Sequence, residues 1–367
     1  MQVSAITTLA LMMAVSTGGA AEREAVAERA HQALDLEVIH APAPVRIDGR
    51  EMLFYELHAT SFASTKLTLR TIEVIDSDGR TVAMLDPQTA VRQIGENADK
   101  NGSAMAPGQR SIIYATFPWI PGRSAHLRHR LVYDTETSKG VDRVSVTGGD
   151  TTIADTNAPT LGAPLRGGPW TAVYAPEMDF GHRRYVYAVH GRARVPGRLA
   201  IDWMPAKGFA PASAGSKVSV QGNGADILAV ADATVAVVKQ VPRPGQRGDI
   251  EDETGAMIVL DLGGGRFAFY EHLAAGLLVR PGQTVVRGQV IARLGATGHV
   301  SQPHLHFHIA DGTAPLSSEG LPYRLAAGTI IGAYDSIEAF GAGGDWRRSA
   351  ARRMDDFPPA NAVVAFD

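Results

Sequence analysis

Cysteine is absent from all 367 residues. That absence excludes thiolate metal sites, cysteine nucleophiles and disulfides together. A metal held by this chain has to use histidine, aspartate, glutamate or water. A charge excess of one sign is also missing. The 35 basic and 38 acidic residues leave a formal net charge of -3, so there is no basic footprint for nucleic acid. Hydrophobic residues make up 45% and charged residues 20%, an ordinary globular composition.

Long apolar runs are lacking too. The run at residues 5–15 (AITTLALMMAV) is too short to cross a bilayer. With STGGAA behind it, it reads as a signal peptide over residues 1–21. Met1–Val15 holds no Lys or Arg, which leaves an N-terminal anchor as the other reading. The mature chain is expected to have no transmembrane helix. Export without disulfides points to the periplasm or cell surface of a bacterium.

Helical periodicity is scarce. One short helix is expected over residues 22–36, which are rich in Ala, Glu and Arg and free of Gly and Pro. From Glu37 onward short alternating runs such as MLFYELHATSF and LTLRTIEVID read as strands. The expected fold is mainly β, with an immunoglobulin-like β-sandwich over residues 37–150. Residues 151–169, rich in Gly, Thr and Pro, read as a linker. Strands resume over residues 170–335. Residues 336–367 read as a C-terminal extension whose WRRSAARR cluster is a solvated patch or a short helix. His58, His126 and His129, scattered singly, read as surface or hydrogen-bonded structural histidines.

What stands out against this background is His-Leu-His-Phe-His-Ile at residues 304–309. Strand side chains alternate between faces. His304, His306 and His308 therefore share one face, at roughly 6.5 Å steps. Leu305, Phe307 and Ile309 share the other and can enter a core. Two further segments join this row. GRLAIDWM puts Asp202 at the end of an apolar strand, and FAFYEHL puts His272 just after a strand with Tyr270 two residues before it. Two His and one Asp form a common zinc ligand set, and spare His can act as general base.

YEHL followed by RPGQTVVRGQVIARLGATGHVSQPHLHFHI resembles the signature region of the lysostaphin/LytM-type zinc endopeptidases, which hydrolyse peptide cross-links of peptidoglycan. The resemblance covers residues 224–310 well and extends loosely to Asp202. It implies an antiparallel β-sheet peptidase groove and one zinc ion. It also implies that His306 and Asp202 are ligands and that His304 and His272 flank the water the metal activates. Gly295 and Gly298 would form one groove wall. The implied partners are peptidoglycan peptides, and another cell-wall hydrolase or envelope protein if the domain is a regulator.

The sequence departs from the family at one position. Active members carry their first zinc ligand as His in a His-x-x-x-Asp segment, where this chain has Arg198. A guanidinium stays protonated and cannot ligate zinc. Two outcomes follow. In one, His308, His190 or His182 substitutes and the domain is a zinc endopeptidase. In the other, an Arg198–Asp202 ion pair replaces the metal, and the domain is a degenerate module that binds cell wall or regulates another hydrolase.

Overall fold

The computed structural model describes residues 33–93, 102–155, 157–174, 181–210, 219, 221–241 and 254–366. The expected signal peptide and residues 22–32 of the expected helix lie outside the described residues. The helix expectation fails at its far end. Leu34–Glu37 is a strand paired with Arg50–Ser61, in register Leu34 to Ser61. Leu34 is buried in the core, so tertiary pairing overrides helix propensity here.

The first half of the chain is two antiparallel five-stranded sheets. One is centred on Arg50–Ser61 and Arg110–Pro118, paired from Met52–Pro118 to Thr60–Arg110. The other is centred on Leu67–Asp76 and His126–Thr137. Alternation sends Leu57 and Ile113 from the first sheet and Leu69, Leu131 and Tyr133 from the second into a shared core. His129 is a structural histidine, as its isolation suggested. Its Nδ1–H donates to the Gly149 carbonyl at 3.0 Å, and its Nε2 accepts from the Tyr55 hydroxyl at 2.8 Å. Burial pushes its pKa down to about 4.

The second half is built on one ten-stranded sheet, antiparallel at every junction. At its centre Phe267–Leu273, Leu305–Ala310 and Ile201–Ala210 lie side by side. The core beneath them includes Trp170, Trp203, Tyr270, Phe307 and Phe366. The residues expected to form a detached extension return to this sheet. Ala362–Phe366 inserts between Gly167–Val173 and Thr329–Ala333, because Val363, Val364 and Phe366 supply apolar surface to bury. WRRSAARR is not a helix, and its arginines are solvated, as the cluster suggested. Arg347–Arg353 is a fully exposed strand that closes one end of the sheet.

A buried ion-pair lattice joins the two halves. Glu56, on Arg50–Ser61, receives Arg183 Nε at 2.9 Å and Arg198 Nε at 2.8 Å. Burial alone would push its carboxyl up. The Arg198 and then the Arg183 guanidinium outweigh that, and hold it down at about 2 against an ordinary 4.5. A carboxyl depressed by folding stabilises the fold above its ordinary pKa, and that stability is lost as pH falls through the folded value. This depression is worth on the order of 3 kcal/mol. Thermal unfolding should therefore show stability draining away between about pH 4.5 and about pH 2, the ordinary and folded values. Glu56→Gln should flatten this limb of the profile; an unchanged limb would mean that other carboxyls set it.

Candidate metal centre

The centre is assembled on the face of the central strands opposite the Trp203–Phe307 core. His306 stands directly across from Asp202 on one side and Glu271 on the other. Directly opposed residues project to the same face, so register alone brings these three together. Tyr270, opposite Phe307, projects to the core face. Strict alternation would send His272 there as well. A bulge prevents this: Glu271 and His272 together face the single residue Met257, between the pairs Ala256–Leu273 and Ile258–Tyr270. His272 sits at φ 64°, which turns its ring onto the site face.

Three donor atoms converge. His182 Nε2 lies 2.8 Å from Asp202 Oδ2 and 3.2 Å from His306 Nδ1, which is 3.0 Å from Asp202 Oδ1. Nitrogen lone pairs and a carboxylate this close need a positive charge among them, either a proton or a metal ion. Two imidazoles and a carboxylate are a zinc-type donor set. Burial pushes the His306 ring down to about 4, with His182 adding to the shift, so it stays neutral, as a ligand must. Asp202 is held well below the usual carboxylate range. Burial opposes this, and His182 and His306 overcome it. Burial also opposes charge on His182, and the Asp202 carboxylate outweighs it and raises that pKa.

His272 and His304 stand beside the trio, ring centroids 4.8 Å apart. Each Nδ1 lies 3.0 Å from a backbone carbonyl, of Thr297 and Gln302 respectively. A carbonyl only accepts, so each Nδ1 carries the proton and each Nε2 keeps a free lone pair. His304 Nε2 lies 3.6 Å from Asp202 Oδ1. Burial, then His304 and His306, push the His272 pKa down to about 3. A cleft of about 390 Å³ opens over these rings, walled by Tyr185, Tyr187, Pro315 and Leu316.

Arg198 lies elsewhere. It does not pair with Asp202; its guanidinium goes to Glu56, to Glu319 at 2.9 Å and to the Gly320 carbonyl at 3.2 Å. Two buried carboxylates draw it away, while Asp202 is satisfied by imidazoles. The second imidazole beside Asp202 and His306 comes instead from His182, on a short 3₁₀ turn at His182–Arg184. A Cβ added at Gly197 would lie 2.7 Å from the His182 Cβ, so glycine there permits the approach. His190 sits exposed in a hairpin turn at φ 50° and belongs to neither of the metal-ligand groups among the described residues. His308 lies behind His306, its Nδ1 3.0 Å from His306 Nε2, and stacks on Phe269.

Two expectations need correction. Tyr270 does not modify the site: its hydroxyl accepts from Val230 N at 3.0 Å inside the core. Gly295 is a packing position, since a Cβ there would lie 2.5 Å from the Ala274 backbone nitrogen. One residue was missed. Glu271 is buried beside His306 and His308 as a second possible ligand group, and burial raises its pKa to about 8. Its register opposite the HLHFHI strand was the available signal.

Comparison with known proteins bears on the same strands. Residues 213–318 match Peptidase family M23. The match takes in His272, His304, His306 and His308 and begins after Asp202 and His182. The peptidoglycan DD-endopeptidase ShyB of Vibrio cholerae is 34% identical over 95 residues, 26% of this chain and 20% of that protein. The chain thus matches about a fifth of the length of that curated relative. The catalytic domain of lysostaphin from Staphylococcus simulans is 18% identical, covering 42% of this chain and 88% of that one, at a TM-score of 0.25. A zinc-containing peptidase from Vibrio cholerae is also 18% identical, covering 77% and 86%, at a TM-score of 0.26.

Proposed function

Because this chain carries a lysostaphin/LytM-type domain of Peptidase family M23, we propose that it is an exported zinc-dependent endopeptidase. It would cut peptide cross-links of peptidoglycan in the periplasm or at the cell surface. One observation carries this reading: His182 Nε2, the Asp202 carboxylate and His306 Nδ1 converge within 3.2 Å. These are the residues that would hold one zinc ion. Zinc supplies Lewis acidity and a water whose pKa falls to about 7.

The remaining chemistry belongs to the chain. The free Nε2 atom of His304 takes up the proton of the attacking water, while His272, kept neutral by its low pKa, accepts a hydrogen bond that orients that water. Once protonated, the His304 ring can donate to the developing oxyanion. The aromatic and apolar cleft walls orient a short, small-residue peptide. The cell-wall substrate also fits the ShyB likeness. The N-terminal pair of sheets, read as an immunoglobulin-like sandwich, contributes no reacting group. Among the described residues no helix is long and apolar enough to cross a membrane.

The competing reading, a degenerate module that binds cell wall or regulates another hydrolase, drew on an Arg198–Asp202 ion pair, and Arg198 pairs with Glu56 and Glu319 instead. The test separates binding from chemistry. Full-length protein is assayed for bound zinc and for release of soluble peptides from purified peptidoglycan. His304→Ala and His272→Ala should keep their zinc and lose about 10²- to 10⁴-fold in cleavage. Cleavage at the unsubstituted rate in both variants would sink the proposed roles. Wild-type zinc below about a tenth of an equivalent would sink the enzyme.

A further inference from the structure

His182 is an unusual ligand, because the turn that presents it is fastened to the other half of the protein. Its neighbour Arg183 is 5% exposed and buries its guanidinium in the N-terminal sandwich. Nε donates to Glu56 Oε1 at 2.9 Å and Nη1 to Thr116 Oγ1 at 2.6 Å. Nη2 donates to the Tyr55 and Ala115 carbonyls, both at 2.8 Å. The cation also lies over the Phe54 and Tyr114 rings, 5.5 and 5.4 Å from their centroids. All of these partners sit on the two paired strands Arg50–Ser61 and Arg110–Pro118.

The turn itself is short. It spans three residues, His182–Arg184, and its Gly181 N-cap makes no side-chain capping bond. Its fixed points are Arg183 and Arg184 on one side, the latter with its carbonyl accepting from the Tyr114 hydroxyl at 3.4 Å and its guanidinium 4.0 Å from the Tyr114 ring centroid, and the close contact of His182 with Gly197 on the other. Asp202 and His306 need no such help, because strand pairing sets them opposite each other. The sandwich therefore bears on His182 through the adjacent residue, whereas it reaches the Asp202 strand only through Arg198, three residues before that strand begins.

We infer that Arg183 is a positioning residue for the metal centre: the N-terminal sandwich, gripping it through Glu56, Thr116 and two strand carbonyls, sets the zinc affinity by holding His182 against Asp202 and His306. The inference rests on the zinc reading above. It gives the sandwich a supporting task. Groups that orient metal ligands commonly change metal affinity by about 10- to 100-fold when altered. An Arg-to-Lys change removes the fork geometry while keeping the charge.

The test is chelator competition for zinc on the full-length protein, with cobalt absorption as a report on ligand number. Arg183→Lys should weaken zinc binding at least about tenfold and change the cobalt spectrum, in a protein that remains folded by circular dichroism. Thr116→Val removes one of the four hydrogen-bonding partners and should weaken binding in the same direction by a smaller factor. It decides the matter if Arg183→Lys does not fold. Leu131→Ala, in the same sandwich and away from Arg183, should lower thermal stability and leave zinc affinity within about twofold. Folded Arg183→Lys and Thr116→Val proteins with wild-type zinc affinity would overturn the inference and leave the zinc reading intact. Wild-type protein without zinc would overturn both.

Discussion

Asp202→Ala is expected to take bound zinc from about one equivalent to below about a tenth, and cell-wall cleavage down on the order of a thousandfold or more. The size of the effect follows from the geometry. Asp202 carries the only negative charge in the converging trio, and each of its oxygens faces a different imidazole, at 2.8 and 3.0 Å. Removing it leaves two neutral nitrogen donors, which hold a divalent cation far more weakly than a set with a carboxylate. It also removes the group that raises the His182 pKa. Metal analysis after dialysis into zinc-replete buffer gives the first number, and soluble peptide release gives the second. Near-stoichiometric zinc in Asp202→Ala would mean that the ion sits elsewhere. Glu271, His306 and His308 would then be the set to test.

The second large effect concerns stability. Arg198→His restores the residue that the family pattern has at this position, and a reading from sequence alone would expect a sharp gain in zinc affinity. The opposite is expected here: no gain in affinity, and a loss of ~3–5 kcal/mol in stability, the cost of taking one partner from a buried ion pair. Among the described residues Arg198 is the cation that joins Glu56 and Glu319, which are 4% and 1% exposed. Without it Glu56 keeps Arg183, and Glu319 keeps Arg194 at 3.6 Å and the Val195 N–H at 3.4 Å. A drop of about 10 °C in Tm is in proportion for a domain of this size. A gain in zinc affinity with unchanged Tm would show that Arg198 obstructs the metal after all.

These two residues mark how far the sequence could be read. Strand alternation found the imidazole face of HLHFHI, and the apolar runs gave a mainly β chain. Asp202 was legible through the apolar GRLAIDWM stretch and the family resemblance, but it stands second in the strand Ile201–Ala210 and not at its end, and its register opposite His306 follows from the fold. His182 could be named only as one of three substitutes. Its place depends on a turn held by Arg183 and on a glycine at 197, and neither leaves a periodic trace. Arg198 looked like damage at a ligand position because its partner, Glu56, lies 142 residues away, on a strand of the other half. Tyr270 looked functional through its place in YEHL, when its alternation partner Phe307 already put it in the core. The C-terminal strands were missed for a similar reason. Short, Arg-rich or Ala-rich stretches declare themselves as strands only once a sheet edge is there to receive them.

That edge has its own consequence. A ten-stranded sheet presents two open borders, and each is a template on which another chain can add a strand. Here one border is the two-residue strand Thr284–Val285, too brief to serve. The other is Arg347–Arg353, every residue of it exposed and four of its seven residues arginine. An incoming strand would have to strip those guanidiniums of water and of their carboxylate partners Asp335, Asp48 and Asp355. The arginine strand thus acts as a terminator of the sheet, disfavouring edge-to-edge addition of a second chain.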